Sequence, residues 1–187
     1  MKKLLKKIPF LAKLVKQYGN LHIRTKFVAE SLSSIPKGSK ILDAGCGSQQ
    51  FRMYCSHLDY KAQDFGQYES DEKDMFDSND SNRSVEGYKY GPLDYVGDIW
   101  SIDEVNDSFD AILCTEVFEH IPYPNLAVKE FSRLLRSGGR LVLTLPSNCL
   151  RHMDPYFFYS GFSDRWLEII LGENGFTIDR IDSVGDY

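Results

Sequence analysis

One stretch of the chain constrains its fold more than any other, K-I-L-D-A-G-C-G-S-Q-Q at Lys40–Gln50. A short apolar run is followed by an acid, Asp43, and then by two glycines separated by one residue, Gly45 and Gly47. Glycine is required where φ is positive or where a ligand approaches the backbone itself. An acid before such a turn accepts hydrogen bonds from loop N–H groups or from a ligand ammonium. The stretch therefore predicts a buried parallel strand whose carboxyl end holds a nucleoside-bearing ligand.

The next predicted strand also ends in an acid, Asp64. Asp64 follows Asp43 by about 20 residues, the separation expected between a glycine-rich loop and an acid that binds ribose hydroxyls. A carboxylate can accept from both hydroxyls, and Phe65 is placed to contact an adenine face. The alternative is that Asp64 is an ordinary strand-ending acid.

The residues D-A-G-C-G resemble the first motif, D/E-x-G-x-G-x-G, of class I S-adenosylmethionine (SAM)-dependent methyltransferases, with Gln49 in place of the third glycine. A strand, a helix, R-S-G-G and another strand follow in the order typical of this family. The resemblance covers Lys40–Leu145 and implies an α/β, Rossmann-like three-layer sandwich, with a mostly parallel sheet and helices on both faces. A dinucleotide-binding G-x-G-x-x-G fits worse, because its last glycine would fall at Gln50.

The resemblance implies that SAM is the cofactor and that its binding residues lie at the tips of the first four strands. Asp98, at the end of the third, would contact the adenine amino group with Ile99 beside the ring; alternatively it is a turn acid. Residues at the end of strand four would form the floor. The predicted cofactor-binding set is Asp43, Ala44, Gly45, Cys46, Gly47, Asp64, Phe65, Asp98, Ile99, Cys114, Thr115 and Glu116.

Apolar periodicity and turn residues predict the elements. The predicted helices are Met1–Asn20, His22–Ile35, Phe51–Leu58, Asn125–Arg136 and Ser163–Leu171, with Ser163 as an N-cap. The predicted strands are Ser39–Ala44, Tyr60–Phe65, Tyr95–Ile99, Phe109–Thr115, Arg140–Leu145 and Phe176–Ser183. Residues 1–38 form an N-terminal helical segment that packs on the domain, and residues 39–187 form the SAM-binding domain.

Two features depart from a regular fold of this kind. Residues 66–94 form a long, acid-rich insertion without helical or strand periodicity, which is typical of a lid or a disordered loop. A seventh strand, which the resembled fold normally inserts between strands five and six, is missing from the sequence pattern. The slot left open favours association, so a homo-oligomer is one expectation.

The segment E-x-x-E-H, formed by Glu116, Glu119 and His120, carries the other candidate chemistry. On a helical turn these side chains share a face and are suited to a divalent metal. The segment resembles the metal-binding E-x-x-E-H of small-RNA 2′-O-methyltransferases and ubiquinone-pathway O-methyltransferases, with His152 as a fourth ligand. The metal-free interpretation is favoured. It makes His120 a wall or base of the active site and His152 a base, and it places Asp154 as an orienting group.

Composition narrows the choice of partner and of cellular compartment. A net charge of −5 argues against nucleic acid as a partner. Four cysteines without a C-x-x-C pair indicate a reduced, cytoplasmic protein. The lysine-rich start is either an outer helix of the domain or a helix that contacts a membrane surface.

These observations predict a SAM-dependent methyltransferase that transfers a methyl group to a small-molecule or sugar (glycan) acceptor, O-directed in the favoured interpretation. The alternative is a non-catalytic SAM-binding or interaction module that keeps the fold.

Overall fold

The computed structural model describes residues 20–67 and 90–183. Nearly all of the predicted first helix and most of the insertion at 66–94 lie outside these residues, so both stay predictions, as does contact of the basic start with a membrane. In the two described parts, no helix combines the length and apolar character needed to cross a bilayer.

Five strands form one sheet in the order β3–β2–β1–β4–β5, and all neighbours are parallel. The strands are β1 Lys40–Ala44, β2 Asp59–Asp64, β3 Tyr95–Val96, β4 Phe109–Thr115 and β5 Leu135–Thr144. Because the strands are parallel, their carboxyl ends meet at one edge, which we call the crest. The strand order reverses at β1, which lies between β2 and β4, and ligands of open α/β sheets bind in the crevice beside such a reversal.

Helices cover both faces of the sheet. They are α1 Asn20–Ser33, α2 Pro124–Leu134 and α3 Asp164–Glu173, with short 3₁₀ helices at Arg52–Cys55 and Phe118–His120. Alternate strand side chains point to opposite faces. Ile41 and Leu113 pack with α1 on one face, whereas Leu42 and Ile112 pack with α2 on the other. The predicted α/β, Rossmann-like three-layer sandwich with a mostly parallel sheet is therefore confirmed.

Strand β4 lies at the centre of this arrangement. It pairs with β1 on one side and β5 on the other, and five of its seven residues are buried. A strand buried on both faces has a near-continuous apolar sequence, as F-D-A-I-L-C-T does. The predicted bounds, Phe109–Thr115, are those observed.

The predicted helix Phe51–Leu58 is wrong, because only the 3₁₀ turn Arg52–Cys55 forms there. Strand β2 begins at Asp59, where the N–H group of Asp59 donates to the carbonyl of Ser39 at 2.9 Å. The connection between β1 and β2 therefore contains a 3₁₀ turn and no full α-helix.

The predicted strand Phe176–Ser183 is also wrong, because these described residues form no strand. The N–H group of Phe176 donates to the carbonyl of Leu171 at 3.0 Å, which holds the segment to the end of α3. Further along, the guanidinium of Arg180 lies 5.5 Å from the ring centroid of Phe27 on α1. These contacts are to helices, and they replace the backbone ladder that a strand needs.

Candidate active site

The glycine turn after β1 folds back onto the end of β2. Gly45 and Gly47 have φ values of +70° and +51°, the left-handed region that glycine adopts without strain. A Cβ atom on Gly45 would lie 2.5 Å from Cγ2 of Val117. The N–H group of Gly47 donates to Oδ2 of Asp64 at 2.9 Å. The turn thus needs glycine both for its backbone conformation and for its packing.

Gln63, which the sequence pattern did not single out, joins β2 to the two loops that follow β1 and β3. Its side chain is buried, with 1% exposure. Its Oε1 accepts from the N–H group of Gly45 at 3.2 Å, and its Nε2 donates to the carbonyl of Gly97 at 2.7 Å. A long amide before the strand-ending acid was the one signal available from sequence.

Asp43 lies beneath the turn and has a partner within the protein. It is 2% exposed, and its Oδ2 accepts a hydrogen bond from the hydroxyl of Tyr60 at 2.6 Å. Burial raises the pKa of Asp43 to about 7; the bond from Tyr60 opposes this rise and the charge of Asp64 adds to it. Of the three acids predicted to lie at strand ends, Asp43, Asp64 and Asp98, only the last two reach solvent.

Asp64 remains half-buried and accepts the N–H groups of Gly47 and Gly66, one on each carboxylate oxygen. Asp98 is exposed and borders, with Gln63, a groove of about 340 Å³. The ring of Phe65 makes an edge contact with Tyr156, with centroids 5.0 Å apart.

Several other residues of the predicted cofactor set belong to the core. Ala44 and Cys114 are fully buried, Ile99 is 4% exposed and Cys46 is 8% exposed. Burial raises the pKa of Cys114 well above its usual range. The side chains of Ile99 and Cys114 pack in the hydrophobic core that α2 covers, and their assignment to the cofactor-binding set stays a prediction.

Glu116 follows Thr115 at the tip of β4 and is separated from the rest of E-x-x-E-H. Its φ of +52° turns the chain away from a helix, so the shared helical face predicted for Glu116, Glu119 and His120 is wrong. Its Oε2 pairs with Nη1 of Arg24 at 2.6 Å, and its Oε1 accepts from the hydroxyl of Thr144 at 3.0 Å. Arg24, on α1, is a second residue that the sequence pattern did not single out.

Glu119, His120 and His152 do come together. Burial raises the pKa of Glu119 to about 7 and lowers the pKa of His120 to about 4, an effect that the bond to the Tyr156 carbonyl partly offsets. The rings of His120 and His152 meet edge to face, with centroids 4.8 Å apart. Both predicted catalytic histidines therefore lie side by side next to a buried carboxyl group.

The loop after β5 is hydrogen-bonded to this turn. The N–H groups of Phe158 and Tyr159 donate to the carbonyl of Glu119 at 2.8 and 3.3 Å. Asp154 does not orient His152 as predicted, because both its carboxylate oxygens accept from Arg151. The Leu150 carbonyl instead lies 2.7 Å from Nδ1 of His152.

A parallel sheet with its order reversed at β1, a glycine turn and strand-end acids at the same crest define an α/β protein of the nucleoside-binding kind. The model of one family, described as a methyltransferase domain, matches residues 42–143, more than half of the chain. The chain therefore belongs to the methyltransferase domain family, and the resemblance to class I SAM-dependent methyltransferases is confirmed.

Two curated relatives, both named as O-methyltransferases, also match parts of this chain. A ubiquinone biosynthesis O-methyltransferase of Xanthomonas oryzae pv. oryzae is 44% identical over 41 residues, which cover 22% of this chain and 17% of that protein. A malonyl-[acyl-carrier protein] O-methyltransferase of Paenibacillus sp. is 28% identical over 109 residues, covering 56% of this chain and 38% of that protein. The chain thus spans less than half the length of either relative.

A solved structure, the phosphoethanolamine N-methyltransferase 2 of Haemonchus contortus in complex with SAM, shares the fold. Its TM-score is 0.54 at 15% identity, covering 88% of this chain and 44% of that one. This likeness shows the shared fold. The polar groups of the crest fit SAM, the cofactor implied by the resemblance. Asp64 and Asp98 offer carboxylate acceptors, and Arg24 offers a half-buried cation.

Proposed function

We propose that the protein transfers a methyl group from SAM to a hydroxyl oxygen of a small-molecule or sugar acceptor. The observation that carries the proposal is the meeting of His120 and His152 beside Glu119 at the end of β4, on the crest where the family binds SAM. Both curated relatives named above are O-methyltransferases, which supports oxygen as the nucleophile.

SAM, when bound, supplies an electrophilic methyl group on a sulfonium, and the remaining tasks fall to the protein. Asp64 would accept from the ribose hydroxyls, because its two oxygens keep lone pairs beyond the N–H groups they already accept. Asp98 would accept from the adenine amino group. Arg24 would pair with the carboxylate of the methionine part, since its guanidinium reaches the tip of β4 and pairs there with one acid.

At the acceptor end, an alcohol must lose its proton as it attacks. The Nδ1 atoms of His120 and His152 lie against backbone carbonyls, which leaves each Nε2 lone pair to face the cluster. The low pKa of His120 keeps its imidazole neutral at pH 7. His152, the more exposed of the two, would receive the proton of the acceptor, and Tyr156 and Phe65 would border the acceptor.

Calorimetric titration with S-adenosylhomocysteine tests the cofactor site. We expect binding of one molecule per chain, weakened about tenfold in Asp64→Asn, because one charged hydrogen bond is worth roughly 1.5–3 kcal/mol. Asp179→Asn, which removes an exposed acid beyond α3, serves as the matched control and should bind like the wild type. A folded wild-type protein that gives no heat of binding would contradict the cofactor assignment.

Transfer from methyl-labelled SAM to a panel of phenols, catechols and sugars tests the reaction. We expect a labelled ether product whose formation is lost in His152→Ala and kept in His22→Ala. Labelled product on an amine instead would contradict the O-directed proposal. Tight cofactor binding with no labelled product on any acceptor would favour the alternative, a non-catalytic binding module.

A further inference from the structure

We propose that Glu119, His120 and His152 form a binding site for one divalent transition-metal ion. One side-chain ligand atom from each residue lies within 4.8 Å of the other two. Two imidazoles and one carboxylate suit Zn²⁺, Co²⁺, Mn²⁺ or Fe²⁺. Around a single ion with bonds of about 2.1 Å, ligand atoms stand roughly 3–3.5 Å apart, so an inward movement of about 1 Å completes the site.

Glu119 is the reason to assign a cation to this cluster. Its side chain is 3% exposed, and in the described residues its Oε2 has no hydrogen-bond partner. A buried carboxylate oxygen without a partner costs free energy that a bound cation would recover. Arg24 is held by Glu116 at 2.6 Å. Among the described residues, the ion-pair contact of Glu119 is with Nε2 of His120, which lies 3.7 Å from its Oε1.

Backbone carbonyl groups orient the rings of both histidines without an ion. Nδ1 of His120 lies 2.6 Å from the carbonyl oxygen of Tyr156, and Nδ1 of His152 lies 2.7 Å from that of Leu150. A carbonyl oxygen only accepts, so each Nδ1 carries the proton and each Nε2 keeps its lone pair. Histidines that bind metals ordinarily donate their other N–H group in this way, which fixes the ring and raises its basicity.

Backbone bonds hold the two ligand-bearing segments in register. Phe158 and Tyr159, from the loop that carries His152, donate to the carbonyl of Glu119. Glu116 is not among the residues whose ligand atoms come together, and its carboxylate pairs with Arg24 and Thr144. Three protein ligands leave coordination positions open, as in catalytic metal sites. With an ion bound, Nε2 of His152 would be a ligand and no longer the proton acceptor, and an acceptor hydroxyl in an open position would release its proton, made more acidic by the ion, to solvent. This step rests on the proposed function, whereas the site itself does not.

Calorimetric titration of the full chain with Zn²⁺, together with the visible absorption of Co²⁺, tests the site. We expect one ion per chain and at least about tenfold weaker binding in both Glu119→Gln and His152→Ala. Glu173→Gln and His22→Ala are the matched controls, an exposed carboxylate and an exposed histidine, and should stay within about twofold of the wild type. Zn²⁺ should also raise the melting temperature of the wild type, and raise it less in Glu119→Gln.

Three results would overturn the assignment. The first is a wild-type chain that takes up no ion. The second is an ion lost in Glu116→Gln but kept in Glu119→Gln. The third is an ion lost in Cys149→Ser, since the half-buried thiol of Cys149 belongs to the same loop as His152. If Glu119→Gln does not fold, His152→Ala decides, because its ring is partly exposed. Binding of S-adenosylhomocysteine without uptake of an ion would refute the metal site and leave the proposed methyl transfer standing.

Discussion

Replacing Asp43 by asparagine should stabilise the protein at neutral pH, although it removes a charged group from the glycine turn. The carboxyl group of Asp43 is 2% exposed and accepts from Tyr60, and burial raises its pKa from 3.8 to about 7. Asparagine keeps the size of the side chain and an oxygen that can accept from the Tyr60 hydroxyl, but it does not ionise.

The magnitude follows from the two pKa values of Asp43. Below pH 3.8 the carboxyl group is protonated in both the folded and the unfolded chain, so its ionisation changes nothing. Between pH 3.8 and about 7 the unfolded chain releases this proton and the folded chain keeps it, so the wild type loses stability as pH rises. Above pH 7 the loss is complete and amounts to about 4 kcal/mol. The weaker bond to Tyr60 in the variant offsets roughly 1 kcal/mol of the gain.

Urea unfolding at a series of pH values from 4 to 8, followed by circular dichroism, measures this effect. The free energy of unfolding of Asp43→Asn should rise relative to that of the wild type by about 1.4 kcal/mol per pH unit and level off above pH 7. Asp179→Asn corrects for the loss of one exposed negative charge. Parallel pH curves for Asp43→Asn and the wild type would show that Asp43 is ionised in the folded protein at low pH, and would refute this reasoning.

Three further predictions concern the turn, α1 and α3. Gly45→Ala should lower the free energy of unfolding by roughly 1–3 kcal/mol in urea, because its φ is +70° and the added methyl group meets Val117 at 2.5 Å; an unchanged midpoint would contradict the observed turn. Arg24→Ala should weaken S-adenosylhomocysteine binding about tenfold by calorimetry, and Arg24→Lys should recover part of the affinity. Equal affinity in the wild type and both variants would exclude a role of Arg24 in cofactor binding. Ser163→Ala should cost about 1 kcal/mol in thermal unfolding, because its hydroxyl accepts from the N–H group of Trp166 at 3.1 Å, and Ser160→Ala in the preceding loop should cost less.

The sheet was predictable from sequence where its strands are buried on both faces. The apolar run Phe109–Thr115 could hardly form anything else, and its bounds are as predicted. Strand β5 begins at Leu135, earlier than the predicted Arg140, because Leu135 already pairs with Phe109. The Ser-Gly-Gly segment before Arg140 lies within the strand, at an irregularity of its pairing. Local pattern locates a strand's core, whereas its ends depend on the neighbouring strand.

The candidate site was predictable only in the parts that local spacing controls. Asp64 could be placed because it ends β2, and Asp98 because it follows β3, which ends at Val96. The bond from Tyr60 to Asp43 and the pairing of Arg24 with Glu116 join residues far apart in the chain, and no local pattern encodes either. The same limit explains why E-x-x-E-H was interpreted as one helical face. Only the fold shows that its first acid pairs with Arg24 on α1, whereas its last two residues contact the loop after β5.

The ion pair between Arg24 on α1 and Glu116 at the tip of β4 has a consequence for the design of truncated fragments. A fragment cut at the limits of the recognised domain, residues 42–143, would lack Arg24 at one end and His152 at the other. Such a fragment would keep most of the sheet and the glycine turn, yet it would leave Glu116 without its counter-ion and Glu119 without its histidine neighbour from the later loop. Inactivity of that fragment would therefore say nothing against catalysis by the longer chain.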